Sequence, residues 1–369
     1  MTDDLLYKIS LSLIPGIGSV TAKSLIAYTG SAEQVFREKE KALREIPGIG
    51  TILAKNIVNA KVFPRAEQEL EFIKKQGIRA LFYLDEDYPQ RLHACNDAPI
   101  ILFVKGTPDL NCAKAISIVG TRHATEYGRQ TVDYFVSSLA ERGYPILIVS
   151  GLAYGIDVHA HKAALNAGVP TVGVMGHGLE TVYPALHTSI AKEMEEKNGG
   201  LVSDFFSHST IERTNFLRRN RIIAGLSDAT IIVESAKKGG ALVTAEIANS
   251  YNRDVFAFPG RRGDIYSEGC NFLIKSNRAA LIDTVADMEY IMNWSPGKSQ
   301  PDAVQPRLFN DLCEDEKIIV DLLQSQGEIA IDLICIKTGL TMNKVSPTLL
   351  NLEFAGIVKG LPGKVFKVI

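Results

Sequence analysis

The residues of this 369-residue chain best suited to chemistry are basic side chains and glycines. The stretch FLRRNRIIAGLS (Phe216–Ser227) packs three arginines into four positions and then turns apolar. Four glycine-rich stretches accompany it: VGTRHATEYG with Gly120 and Arg122, SGLAYGID with Ser150, Gly151 and Gly155, MGHG with Gly176 and Gly178, and VESAKKGGALVTAEI with Lys237, Lys238, Gly239, Gly240 and Thr244. Each follows a short β-branched run. A glycine turn that leads into a helix N-terminus exposes backbone N–H groups, which attract anions. Several such turns in one sheet, some with basic residues, predict a single cleft for phosphate or nucleic acid. Arg213, Arg218, Arg219 and Arg221 outnumber the acids beside them, Glu212 and Asp228. Burying all four unpaired would be costly, so they are expected at the polar mouth of that cleft. Asn220 can fix an arginine fork or hydrogen-bond a base or the backbone. Phe216 is either a core anchor or a platform for a stacked base, and both readings stay open.

The chemistries missing from the sequence narrow the function. GxxxxGK[ST], GxSxG and HExxH do not occur, which argues against a Walker-type ATPase, a nucleophile-elbow hydrolase and a zincin. His159 and His161 are two apart on an expected helix, where i and i+2 face different ways, so they make poor joint metal ligands. Asp157 is expected to cap that helix. No nucleophile–base pair assembles. The chain is expected to bind rather than catalyse, with no metal and no cofactor.

The elements that position these residues alternate. Strands are predicted at 116–119, 146–149, 171–174, 201–203, 230–233 and 255–258, and helices at 127–142, 157–167, 186–196, 217–226 and 241–251. Such alternation, with near-continuously apolar strands, predicts a doubly wound parallel sheet whose ligands lie beyond the carboxyl ends of the strands. Ahead of it, IPGIG occurs at 14–18 and again at 46–50, each followed by a helical pattern with Ala and Lys. The repeat resembles a tandem helix-hairpin-helix module, with Gly16, Gly18, Gly48 and Gly50 as accessory DNA contacts through their backbone amides. WSPGKSQPDAVQPRLF (294–309) reads as a linker. The remainder, three helices and a hairpin around Pro-Gly, is similar to a winged helix. From Asp311 to Ile369 there are six lysines against eight acids, and the expected recognition helix has Lys344 alone. DNA readers are locally basic, so a protein-contact role is expected. The boundaries read as 1–62, 63–293, 294–309 and 310–369.

Totals set further limits. Net charge is −2, so positive potential for a polyanion must be gathered locally. Five cysteines without a CxxC pair read as reduced thiols rather than a disulfide frame or zinc site. The N-terminus lacks a basic leader, and no apolar run approaches the ~18 residues of a membrane span. A cytoplasmic location is expected.

The order and spacing of VGTR, SGLAYGIDVHAHKAAL, MGHGLETVYP, FLRRNRIIAGLS, VESAKKGGALVTAEIA, RDVFAFPG and SEGCNFLI resemble the DNA-processing protein A (DprA/Smf) family, closely over about 80–282. The resemblance implies an α/β Rossmann-like core with the two accessory domains, and a recombination mediator. Such a mediator binds and protects single-stranded DNA, loads RecA recombinase onto it, notably in natural transformation, and dimerises through the core. It further implies a DNA pocket of Gly120, Arg122, Ser150, Gly151, Arg219, Asn220, Arg221, Gly240 and Thr244. Arg213 and Phe216 join it by position, and Lys237, Lys238 and Gly239 through their loop. The chain departs from the family at Tyr154, where arginine is frequent, and at Gly239-Gly240 in place of Ser-Gly.

Two rival readings belong to other classes. KKGGALVTAE superficially resembles the PGGxGTxxE loop of lonely-guy nucleotide phosphoribohydrolases, with Glu246 as the acid, but the PGG and second GT elements are missing. A protein-only scaffold would fail to bind single strands even at low salt.

Overall fold

The structure is a computed structural model that describes residues 2–295 and 312–368. The expected linker at 294–309 therefore lies, beyond its first two residues, outside the described residues.

The N-terminal module holds helices α1 (Thr2–Leu13), α2 (Ser19–Thr29), α3 (Ala32–Arg37), α4 (Glu40–Arg44), α5 (Thr51–Val58) and α6 (Phe63–Gln76). Its two PGIG turns work alike. Gly16 and Gly48 adopt φ of +86° and +84°, which only glycine reaches without strain. Gly18 and Gly50 are extended N-caps of α2 and α5. Asn56 Nδ2 donates to Pro15 O at 3.2 Å, tying the second hairpin to the first turn.

The core contains β1 (Arg79–Phe82), α7 (Gln90–His93), β2 (Ile101–Gly106), β3 (Lys114–Val119), α8 (Glu126–Glu141), β4 (Ile146–Ser150), α9 (Ile156–Asn166) and β5 (Thr171–Val174). It continues with α10 (Thr188–Glu196), β6 (Gly200–Ser203), α11 (Arg213–Gly225), β7 (Ala229–Ile232), α12 (Gly240–Ser250), β8 (Asp254–Ala257), α13 (Glu268–Lys275), β9 (Ala280–Leu281) and α14 (Val285–Met292). The nine strands run in the order β1-β2-β6-β5-β4-β3-β7-β8-β9. All pairs from β6 to β9 are parallel, while β1–β2 and β2–β6 are antiparallel. The six expected strands are present, and the antiparallel pair β1–β2 extends the sheet beyond them. Strand periodicity divides the core. Ile116, Ile118, Ile146 and Ile148 face the side covered by α8, α9 and α14, whereas Ala115, Val119, Leu147 and Val149 face the other. Both faces are buried, as a doubly wound sheet requires. The order in which strands are added reverses between β3 and β7, which lie parallel, and Ser117 Oγ bonds Thr230 Oγ1 at 2.8 Å across that junction.

The C-terminal module is the winged helix: α15 (Glu314–Gln326), β10 (Ile329–Ala330), α16 (Ile331–Thr338), α17 (Met342–Phe354), β11 (Val358–Leu361) and β12 (Val365–Val368). Its α16 packs on α2 of the first module. Burial there pushes the Lys23 ammonium below its ordinary pKa, partly offset by the Asp332 carboxylate. Lys344, the cation of α17, pairs with Asp315 at 3.6 Å. Among the described residues no helix is long and apolar enough to cross a membrane.

One ion pair fastens the segment before β2 to the sheet. Arg91 Nε and Nη2 donate to the two oxygens of Asp228 at 2.7 and 2.8 Å. Asp228 Oδ2 also accepts from Ala115 N at 2.8 Å. Asp228→Ala leaves a largely enclosed guanidinium and an amide unpaired, so a loss of about 2–3 kcal/mol is expected. Urea denaturation of the two proteins, compared at equal m-value, checks it.

Candidate nucleic-acid interface

A sheet whose winding reverses between β3 and β7 opens a crevice there, beyond the strand ends. The loops that line it are zipped together. Thr121 N donates to Glu234 O at 2.7 Å, and Ile156 N donates to Thr121 O at 3.1 Å. Gly155 makes this possible: its φ is +79°, and a Cβ would collide with Thr121 O. Gly120 is packed as closely, since a Cβ there would sit 2.5 Å from Ile156 Cγ1.

Two of the expected anion cradles are filled by the protein's own carboxylates. Glu234, buried, accepts from Thr125 N at 2.9 Å and from Thr125 Oγ1. Thr125 is the N-cap of α8, so this carboxylate occupies the helix end where a phosphate was expected to sit. At the second loop, Asp157 Oδ2 accepts from Gly151 N at 3.1 Å, and the Ser150 hydroxyl turns inward to Ile118 O at 2.6 Å. Ser150 and Gly151 are both buried.

The arginines of α11 divide in a way the sequence did not indicate. Arg219 is 4% exposed and points into the protein, its Nη1 donating to Gly151 O at 2.7 Å and to Val174 O. Burial lowers its pKa to about 10, against the pull of the Asp157 charge. Burial pushes the Asp157 carboxyl up, and the Arg219 charge opposes that too. Arg221 pairs with Asp204 and donates to Asp97 O. Asn220 is buried. The expectation that Arg219, Asn220 and Arg221 stand at the mouth is therefore corrected. The charges that face the two arginines, Asp157 for Arg219 and Asp204 for Arg221, lie outside the local stretch, and a count of local acids missed them. Thr244 is likewise buried in α12.

What faces solvent is a different set. Arg122 and Arg213 are exposed, and Phe216 is half-buried. The Arg122 guanidinium lies 6.0 Å from the Phe216 ring centroid, and Tyr183 lies 5.7 Å from the same ring on its way to solvent. Lys237 and Lys238 are exposed beside the start of α12. That helix has Gly239 as N-cap, no side-chain cap and no acid in its first turn, while a Cβ at Gly240 would meet nothing. Its first-turn N–H groups therefore have no side-chain acceptor, and this cradle is left open. The sequence reading overlooked the loop after β8. Arg261 and Arg262 are exposed there, and Tyr266 stacks on His123 at 6.1 Å. Tyr127, Arg261 and Tyr266 border a cavity of about 930 Å³ against Glu234. The signal was available, because RRGDIY follows a strand as the other loops do. Arg122, Arg213, Lys237, Lys238, Arg261 and Arg262 form no ion pair among the described residues, in contrast to Arg219's neighbours Arg218 and Arg221. Cations left unpaired around aromatic rings suit a phosphate backbone with stacked bases.

The remaining candidates sort simply. Gly16, Gly18, Gly48 and Gly50 are exposed on the two hairpins. Glu246 lies on the exposed side of α12, paired with Arg278 at 3.3 Å and away from the strand ends, which removes the acid of the phosphoribohydrolase reading. His159 pairs with Asp133 at 3.0 Å. His161 is buried with Nδ1 against Thr171 Oγ1 at 2.7 Å. Among the described residues no group of His, Cys, Asp or Glu is arranged to hold a metal.

The architecture defines a Rossmann-like core flanked by a helix-hairpin-helix tandem and a winged helix. Residues 79–293 match the family described as DNA recombination-mediator protein A, 303–364 a DprA winged helix domain, and 9–60 a SAM-like helix-hairpin-helix tandem. The Smf protein of Escherichia coli is 34% identical over 309 residues, 82% of this chain and 81% of its own. The DNA processing protein DprA of Bacillus subtilis is 36% identical over 220 residues, 59% and 73% of the two. The solved structure of DprA from Streptococcus pneumoniae aligns with a TM-score of 0.64 at 29% identity, covering 79% of this chain and 98% of that one. DNA processing protein A of Helicobacter pylori, studied for its single-stranded DNA binding mode, aligns with a TM-score of 0.50 at 27% identity, covering 58% and 95%. The chain belongs to the DNA recombination-mediator protein A family, the DprA/Smf proteins, and the resemblance drawn from its seven motifs holds.

Two outcomes follow from the geometry. Glu234→Ala strips the N–H and hydroxyl of Thr125 of their buried acceptor, and a loss of about 1–3 kcal/mol in denaturant unfolding is expected. His161 gives a pH effect. Burial, with Arg219 and His187 nearby, depresses its pKa to about 3, against ~6.5 in an unfolded chain. The unfolded state thus takes up the proton first. The stabilisation is complete above about pH 6.5 and is lost at about 1.4 kcal/mol per pH unit as pH falls toward the folded value. His161→Gln keeps a donor for Thr171 and should flatten the stability curve between pH 6.5 and 5 by one proton.

Proposed function

We propose that this chain is a single-stranded DNA-binding recombination mediator: it protects incoming strands and loads RecA recombinase onto them, as in natural transformation. It acts in the cytoplasm without catalysing a reaction of its own and works as a homodimer through the Rossmann-like core. The observation that supports this most is the ring of unpaired cations around the strand ends, Arg122, Arg213, Lys237, Lys238, Arg261 and Arg262, interleaved with Phe216, Tyr183 and Tyr266 in a chain of net charge −2. The open α12 N-terminus at Gly239 and Gly240 supplies amides for a phosphate. Gly120, Ser150, Gly151, Arg219, Asn220, Arg221 and Thr244 act one step back, shaping the loops that present these groups. Exposed Leu281, Tyr290 and Ile291 by the short edge strand β9 offer apolar area for the dimer. The winged helix serves protein contact, in keeping with its acidic balance and the engagement of Lys344 by Asp315.

A binding titration across salt tests the reading. Each phosphate contact contributes about 0.7 to the slope of log K against log salt on single strands. Arg122→Ala should flatten the slope by about that amount, and the double change Lys237→Ala/Lys238→Ala by up to twice as much. Unchanged slopes would remove these residues from the interface. Loading is tested separately, by whether the chain speeds recombinase assembly on strands coated with a single-strand-binding protein.

A further inference from the structure

We propose that Tyr154 is a seat for one base of the bound single strand, distinct from the Phe216 ring; the inference rests on the single-strand reading above. Tyr154 stands in the loop between β4 and α9, at the carboxyl end of the sheet, and is 44% exposed. The loop between β5 and α10 carries two more apolar groups left in water, Tyr183 at 48% and Leu186 at 78%. Large apolar side chains exposed together mark a contact surface rather than a requirement of the fold.

The two loops are joined, so these groups form one surface. His187, buried directly after Leu186, meets the Tyr154 ring at 5.2 Å between centroids, with the planes 71° apart. Its Nδ1 donates to Leu152 O at 2.8 Å. Leu152 is held at φ of +53°, a left-handed conformation that costs free energy in a residue with a branched side chain. Such strain persists only where the surroundings fix it, and His187 supplies that fixing two residues ahead of Tyr154. The tyrosine is presented by a loop already set, so little ordering is lost when a ring stacks on it.

Its place beside a cation selects the ligand. Gly155, next in the chain, packs on the backbone of Arg122: a Cβ there would fall 2.6 Å from Arg122 C. The Arg122 guanidinium lies 6.0 Å from the Phe216 ring centroid, and Tyr183 meets that ring at 5.7 Å. The loop after β5 therefore touches Phe216 through Tyr183 and Tyr154 through His187. Arg122 adjoins both aromatic sites, one by its guanidinium and the other by its backbone. An unpaired cation that adjoins two accessible rings matches a ligand that alternates anionic groups with flat rings, which is a nucleic-acid strand. Stacking uses only the π-face that every base has, so the seat accepts all four bases.

The test uses the full chain, fluorescence anisotropy and two strands of about fifteen nucleotides, one of thymidine and one abasic throughout. The abasic strand keeps every phosphate and offers no ring. Tyr154→Ala should bind the thymidine strand about tenfold more weakly than the native chain, the worth of one stacked base. Its slope of log K against log salt should stay native, because no phosphate contact is lost. On the abasic strand at low salt, the two proteins should agree within about twofold. Tyr154→Trp keeps a ring and should hold the native affinity for thymidine. Equal weakening on both strands, a flattened slope or weak binding by the tryptophan variant overturns the base seat, since each marks a role in loop structure or phosphate contact. Native affinity of Tyr154→Ala for the thymidine strand overturns it as well, and slower recombinase assembly in that case gives the surface to a protein partner. These results leave single-strand binding intact, whereas failure of the native chain to bind the thymidine strand overturns both readings.

Discussion

The structure turns on one guanidinium buried where cations are rarely buried. Arg219 leaves α11, passes behind the ends of β4 and β5, and donates to the carbonyls of Gly151 and Val174. Desolvating a cation costs several kcal/mol unless its donors are satisfied and an opposite charge is close, and Asp157 supplies that charge through the same loop. Gly151 has no side chain because none fits: a Cβ would lie 2.5 Å from Asp157 Oδ2 and 2.6 Å from Arg219 Nη2. With Arg219 pinned inward, helical geometry fixes where its neighbours go. Arg218 turns outward, Arg221 reaches Asp204, and Phe216 one turn earlier sits under Arg122 and Tyr183. The interior anchor thus sets the aim of the exterior groups.

A second buried carboxylate acts in concert with the first. Glu234 fills the N-terminus of α8, and Asp157 occupies the loop ahead of α9. Both close helix ends that glycine-rich turns would otherwise leave open to an anion. The start of α12 is left open, and the cations free of partners gather along the rim rather than at the bottom of the crevice.

The sheet was legible because period-two burial on both faces leaves runs such as ISIV and ILIV, and nothing else in a chain of this length produces six of them in alternation with amphipathic helices. The antiparallel pair β1–β2 was not, since a buried run such as ILFV carries no direction, and pairing with β6 is decided across about a hundred residues of chain. The glycine loops at the strand ends were legible as turns, but which of them are filled was not. That depends on Glu234 arriving from beyond β7 and on Asp157 turning back from the first turn of α9. The roles of Arg219 and Arg221 were misjudged for the same reason: pairing over long sequence separation is invisible to a count of neighbours. Arg261, Arg262 and Tyr266 were legible too, since PGRRGDIY sets basic and aromatic residues among two glycines directly after a strand.

The carboxylate in the α8 helix end has a bearing on selectivity among cellular anions. In sheets of this winding, that helix end is where the phosphates of dinucleotides and mononucleotides settle. Here it is taken before any ligand arrives, by a group that cannot diffuse away. Free nucleotides therefore find no deep seat at the switch point and must hold to the rim by one or two charges, where salt screens them strongly. A polymer meets the same rim with many charges on one backbone, each bound phosphate raising the local concentration of the next. On the function proposed above, the protein thus remains available to a strand amid an excess of free nucleotides.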